Sequence, residues 1–86
     1  MTWRLELAVV GGTLRKLDPP IRRRIVAELL ELEKDPFSPG TEKLQGRDEL
    51  YRRRVGDWRI LFAPDHSTRI VAVLRIAHRR EVYRMH

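Results

Sequence analysis

The chain has 86 residues, no cysteine and a formal net charge of +6 at pH 7. This predicts one small basic domain and excludes disulfide bridges and thiolate metal sites. The first segment alternates charged and apolar side chains, unlike the continuous apolar stretch of a signal peptide. No apolar run approaches the about 20 residues of a membrane-spanning helix. We therefore expect a cytoplasmic protein that has no contact with membrane and binds an anionic partner.

The positive charge is concentrated in the C-terminal part of the chain. Residues 1–49 carry nine basic and nine acidic side chains, whereas residues 50–86 carry nine basic and three acidic ones. All nine of these cations are arginines, namely Arg52, Arg53, Arg54, Arg59, Arg69, Arg75, Arg79, Arg80 and Arg84. Because the guanidinium fork grips phosphate with two parallel hydrogen bonds, this distribution favours nucleic acid as the partner.

The N-terminal half is predicted to form one strand and two helices. Trp3, Leu5 and Leu7 alternate with polar residues, which indicates a half-buried strand. A short helix over Thr13–Leu17 follows a glycine pair. Asp18 and two prolines then start a longer helix, because proline is tolerated in the first turn. Its apolar face holds Ile21, Ile25, Leu29 and Leu32, with Val26 and Leu30 beside them.

The C-terminal half is predicted to be a run of three strands after a loop over 35–46. The strands span Glu49–Val55, Trp58–Ala63 and Arg69–Ile76, and a Gly-Asp turn makes a hairpin of the first two. The basic tail from residue 77 could form a short helical turn or a terminal strand. The predicted fold class is α+β, with two N-terminal helices packed on a mostly antiparallel four-stranded sheet in the order β-α-α-β-β-β.

Two segments of the chain resemble the RelE/ParE toxin superfamily. The run LYRRRVGDWRILF at 50–62 is similar to the hairpin of these toxins, and LRIAHRREVYR at 74–84 is similar to their C-terminal catalytic segment. The segment KLQG at 43–46 matches as well. The resemblance extends over the whole chain and implies a single RelE-like toxin domain over 1–86.

The resemblance implies the toxin component of a type II toxin–antitoxin system. RelE-like members are metal-independent endoribonucleases that cut mRNA on the ribosome and need no cofactor, whereas ParE-like members inhibit DNA gyrase and cut nothing. The implied partners are a cognate antitoxin and the ribosome with its mRNA. The family's catalytic positions correspond to Arg52, Arg54, Arg59, Arg79 and Tyr83. ParE-like members tend to lack this full set, so its presence favours the nuclease.

The residues themselves suit phosphate chemistry. Arg52 and Arg54 are two apart on one strand and share a face, and Arg59 lies across the turn. Arginine stabilises a phosphorane but stays protonated, so the general base is sought elsewhere. Tyr83, His78 and Glu81 are the candidates, and histidine is the residue type that changes protonation near neutral pH. Arg75 and Arg80 join Arg52, Arg54 and Arg59 as predicted phosphate-binding residues.

Several alternatives remain open at this point. The chain could be a ParE-like gyrase inhibitor, a basic domain that binds nucleic acid without cutting it, or an inactive family member. Arg22, Arg23 and Arg24 are interpreted as a solvated helix face balanced by Glu28 and Glu31. Arg53 falls on the buried face of its strand, where we expect its stem to pack at the sheet edge and its head to lie in water.

Overall fold

The structure is a computed structural model that describes residues 2–46 and 49–82. Among these residues, no helix is long and apolar enough to cross a membrane. The elements in chain order are β1 (Arg4–Glu6), α1 (Gly11–Lys16), α2 (Pro19–Lys34), β2 (Thr41–Lys43), β3 (Tyr51–Val55), β4 (Trp58–Asp65), β5 (Ile70–His78) and α3 (Arg79–Val82).

The five strands form one sheet in the order β1-β5-β4-β3-β2. All neighbours are antiparallel except β1 and β5, which are parallel. The predicted α+β class with a mostly antiparallel sheet is confirmed, but the predicted number of four strands is wrong. The additional strand β2 lies inside the predicted loop and pairs Thr41 with Arg53. It consists of three polar residues at the sheet edge, so it carries no apolar alternation that a sequence pattern could detect.

The start of α2 follows its sequence signal, but the expected capping hydrogen bond is not formed. α2 begins at Pro19 as predicted, and Asp18 occupies the N-cap position. Its side chain makes no capping hydrogen bond, however. An N-cap side chain bonds the N–H of the second or third helical residue. The second residue here is Pro20, which has no N–H, and Asp18 does not bond the N–H of the third, Ile21. Within the basic tail, Arg79–Val82 form the helical turn α3 directly after β5.

The core lies between α2 and one face of the sheet. Ile25, Leu29 and Leu32 are buried on α2 at spacings of four and three residues, and they meet alternating buried residues such as Ile60 and Phe62 on β4. Each fully buried side chain of this size contributes about 1.5–3 kcal/mol. The side chains that alternate with these core residues along the strands lie on the opposite face of the sheet, which α2 does not cover.

Arg53 lies on the core side of β3 but not in the predicted way. It is 9% exposed, and its Nε–H donates to the carboxylate of Glu28 on α2 at 2.6 Å. Its Nη1 donates to the hydroxyl oxygens of Ser38 at 2.7 Å and Thr41 at 3.2 Å. The expectation that its head lies in water is wrong, because α2 supplies a partly buried carboxylate that the guanidinium can pair with.

Candidate nucleic-acid interface

The sheet register brings the predicted phosphate-binding residues onto one face. Arg54 is directly opposite Arg59 across the β3–β4 pair. In the next row on this face, Arg52 is opposite Leu61, which is in turn opposite Arg75 on β5. Since side chains alternate between the two faces of a strand, these residues lie opposite the core. We call this surface, made of Arg52, Arg54, Arg59 and Arg75, the arginine face.

The Gly56–Asp57 turn at the end of this hairpin brings Arg79 to the arginine face. Nη1 of Arg59 donates to the Gly56 carbonyl oxygen at 2.8 Å. The backbone N–H of Arg79 donates to the Asp57 carbonyl oxygen at 2.7 Å, and the Arg79 Nε lies 3.7 Å from the Asp57 carboxylate. The structure thus gathers Arg54, Arg59 and Arg79, which are separated by up to 25 residues in the sequence, around a single turn.

The electrostatics of Arg59 show how concentrated this charge is. Desolvation, and next the charges of Arg54, Arg52 and Arg79, hold the pKa of Arg59 below its ordinary value, while Asp57 acts in the opposite direction. Its Nε–H is buried and has no hydrogen-bond acceptor among the described residues. The guanidinium remains charged at neutral pH. A bound anion would relieve the repulsion between these arginines, so the site is electrostatically suited to phosphate.

One carboxylate already lies on the arginine face. Glu42 of β2 pairs with Arg52 at 3.3 Å and with Arg54 at 3.4 Å. The Arg52 side chain is only 14% exposed, whereas that of Arg54 is 57% exposed. Sequence reasoning missed Glu42 because it placed this residue in a loop. A phosphate that binds Arg54 has to compete with this carboxylate.

The C-terminal predicted residues are only partly brought to this face. Nη2 of Arg75 donates to the backbone carbonyl of Glu81 at 3.3 Å, which ties the last described turn to the arginine face. Arg80 is exposed in the same turn. Tyr83 lies outside the described residues.

His78 is placed differently from the arginines. It is opposite Trp58, which is opposite Val55, so this row lies on the core side of the sheet. Its ring meets that of Trp58 edge to face, with the centroids 5.7 Å apart. Its Nδ1 accepts a hydrogen bond from the backbone N–H of Arg80 at 3.3 Å. In that arrangement a neutral imidazole carries its proton on Nε2, so neither ring nitrogen is a free base.

Within 2–46 and 49–82, no group of three or more His, Asp or Glu side chains is arranged to hold a metal ion. The polar groups that the structure places at the arginine face and its turn are arginine side chains, the carboxylates of Glu42 and Asp57, and backbone groups.

The family model of the ParE toxin of type II toxin–antitoxin systems matches residues 12–83. Because this match covers most of the chain, the protein belongs to this toxin family, within the RelE/ParE toxin superfamily. A search of curated protein sequences found no significant match.

Solved structures share the fold. A chain of the RelBE2 toxin–antitoxin complex of Mycobacterium tuberculosis is 23% identical, with a TM-score of 0.77 over 91% of this chain and 99% of that one. A chain of the archaeal RelE–RelB complex of Pyrococcus horikoshii is 28% identical, with a TM-score of 0.74 over 92% and 97%. The isolated E. coli RelE toxin is 17% identical, with a TM-score of 0.74 over 91% and 84%.

Proposed function

We propose that this toxin is a ribosome-dependent mRNA endoribonuclease that works without a metal ion. The observation that carries the proposal is the convergence of Arg54, Arg59 and Arg79 around the Gly56–Asp57 turn. There desolvation, and after it the charges of the neighbouring arginines, lowers the pKa of Arg59. Such a preorganised cluster of cations stabilises negative charge that develops on a phosphate in a transition state.

The proposed reaction is an internal attack within the RNA chain. A base removes the proton of a ribose 2′-OH, and the oxygen attacks the adjacent phosphorus. The P–O5′ bond breaks, an acid protonates the departing 5′-oxygen, and a 2′,3′-cyclic phosphate remains. Arg59 and Arg79 neutralise the phosphorane, while Arg52, Arg54, Arg75 and Arg80 hold the flanking phosphates.

The proton transfers are assigned to the C-terminal segment, since arginine stays protonated at neutral pH. Tyr83, His78 and Glu81 are the candidates. His78 would have to leave the Trp58 ring and the Arg80 N–H to act as a base. Tyr83 comes two residues after Glu81 in the sequence, and the backbone carbonyl of Glu81 accepts a hydrogen bond from Arg75 of the arginine face. Tyr83 is therefore the first residue to test. None of the arginines can act as a general base, because each stays protonated at neutral pH. We therefore expect cleavage of naked RNA to be weak and the ribosome to complete the site.

The proposal includes a cognate antitoxin and the ribosome with its mRNA as partners, and hence a cytoplasmic location. Two of the similar structures are toxin–antitoxin complexes with RelB, which supports an antitoxin. We expect the antitoxin to cover or distort the arginine face and to present acidic side chains there, as Glu42 already does within the chain.

A ParE-like gyrase inhibitor is the second candidate, and the description of the matching family model as a ParE toxin favours it. In that case the arginine face would serve protein or DNA binding without chemistry. A Tyr83→Phe variant would then remain fully toxic, and DNA damage signalling would follow expression.

Cell-free translation separates the two candidates. The purified toxin is added to a translation reaction, and mRNA 5′ ends are mapped by primer extension beside the Arg79→Ala and Tyr83→Phe variants. The matched control is Arg23→Ala, which removes an exposed arginine of α2. The nuclease proposal expects discrete cuts within translated codons, lost in the first two variants, retained in the control and absent without ribosomes. Intact mRNA together with inhibited supercoiling in a gyrase assay would favour the second candidate.

A further inference from the structure

The arginines of α2 are less neutralised than the sequence suggests. Glu28 and Glu31 are the acids nearest to them on the helix, but Glu28 pairs with Arg53 and Glu31 with Lys34. Among the described residues, neither glutamate forms an ion pair with Arg22, Arg23 or Arg24, so the expected neutralisation of these arginines is not seen. Arg24 is exposed and keeps its charge available for a ligand.

The guanidinium of Arg24 packs against the β3–β4 turn. A Cβ atom added at Gly56 would lie 3.0 Å from its Nη2 and 3.2 Å from its Nη1. Gly56 also has a φ of 59°, in the left-handed region that favours glycine. A glycine at this position therefore serves two purposes: it forms the tight turn and lets the guanidinium lie directly on the backbone.

The turn consequently collects arginines from three elements. Arg24 comes from α2, Arg59 from β4 and Arg79 from α3. The charges that lower the pKa of Arg59 are those of Arg54, Arg52 and Arg79, which places Arg24 outside that closely coupled group. The carboxylate of Asp57 is mostly exposed, and its distance of 3.7 Å from Arg79 makes a loose pair.

We propose that Arg24 and the Gly56–Asp57 turn form a phosphate-binding site that continues the RNA path from the arginine face onto α2. Arg24 holds a phosphodiester next to the one at Arg59 rather than the same one. The glycine lets the Arg24 guanidinium lie close against the turn. This inference rests on the RNA-binding part of the proposed function, but not on cleavage.

The test measures binding of a fluorescein-labelled, ten-nucleotide single-stranded RNA by anisotropy, with salt varied from 50 to about 200 mM. Arg24→Gln is compared with Arg23→Gln. Both arginines are exposed on α2, and the two variants lose the same charge, but the side chains point about 100° apart around the helix. We expect Arg24→Gln to weaken binding about 3- to 10-fold at low salt and to reduce the salt slope by about 0.7. Arg23→Gln should change affinity less than about 2-fold, because an exposed charge without contact is screened.

The Arg24→Lys variant and a thermal melt separate binding from packing. Lysine keeps the charge but not the guanidinium group that lies against Gly56, so the salt slope should stay near that of the wild type. Equal effects of Arg24→Gln and Arg23→Gln would overturn the inference, and so would absence of RNA binding by the wild-type protein. If Arg24→Gln alone weakens binding while translated mRNA stays intact, the binding site stands and the nuclease proposal fails.

Discussion

The pair between Arg53 and Glu28 should carry a large share of this small domain's stability. Glu28→Gln keeps the shape of the side chain but removes the negative charge that pairs with Arg53. The Arg53 side chain is only 11% exposed, so water cannot fully replace that charge. Removing one partner of a buried ion pair costs about 3–5 kcal/mol. Here the Glu28 side chain is 32% exposed, and two hydroxyl acceptors remain on Arg53, so we expect about 2 kcal/mol.

A loss of that size in a domain of 86 residues corresponds to a fall in Tm of about 8–16 °C. Urea denaturation at pH 7 gives the free energy of unfolding directly. The control is the double variant Glu28→Leu with Arg53→Met, which removes both charges and should recover most of the loss, since an apolar pair of similar volume is often as stable. The reasoning is refuted if Glu28→Gln changes the free energy of unfolding by less than about 0.5 kcal/mol, the usual range of a surface substitution.

Three further outcomes are expected. Glu42→Gln should raise the affinity for single-stranded RNA about 2- to 5-fold at low salt, because it removes the carboxylate charge that pairs with Arg52 and Arg54. Glu31→Gln, which removes the same charge from α2, should have a smaller effect in the same anisotropy assay. Gly56→Ala should destabilise the protein by about 1 kcal/mol or more in a thermal melt, mainly because alanine is strained at this φ, and also because its Cβ would press against the Arg24 guanidinium. Hydrogen bonds from Ser67 hold the pKa of Asp65 below its ordinary value. Because the folded-state pKa is lowered, the stabilisation is present above about pH 3.9 and is lost as the pH falls through the lowered value. Carboxyl NMR titration should show the lowered pKa of Asp65, and Ser67→Ala should raise that pKa towards its ordinary value.

Much of the fold could be predicted because its signals are local. The β3–β4 hairpin follows from apolar alternation on both sides of a Gly-Asp turn, and α2 from its apolar face after a proline pair. β2 could not be predicted, because an edge strand of three polar residues is defined only by its partner β3. The α1 boundary shifted by two residues, from Thr13 to Gly11, since no capping side chain marks its start.

The candidate site was predictable where it depends on strand alternation. Arg52 and Arg54 share a face as expected, and the turn brings Arg59 beside them. Contacts between distant elements were not predictable. The partner of Arg53 is 25 residues away on α2, and the contact of Arg24 with the turn depends on how that helix crosses the sheet.

The nuclease proposal is tested most directly by the fate of mRNA on translating ribosomes. Primer extension after addition of the wild-type toxin should show discrete 5′ ends within translated codons, with 2′,3′-cyclic phosphate on the upstream fragments, and Arg79→Ala should abolish them. Cuts that persist undiminished in Arg79→Ala, or that appear equally in naked RNA, would contradict the proposed mechanism. If the toxin arrests growth in cells but leaves translated mRNA uncut, the proposal that it is a nuclease is contradicted.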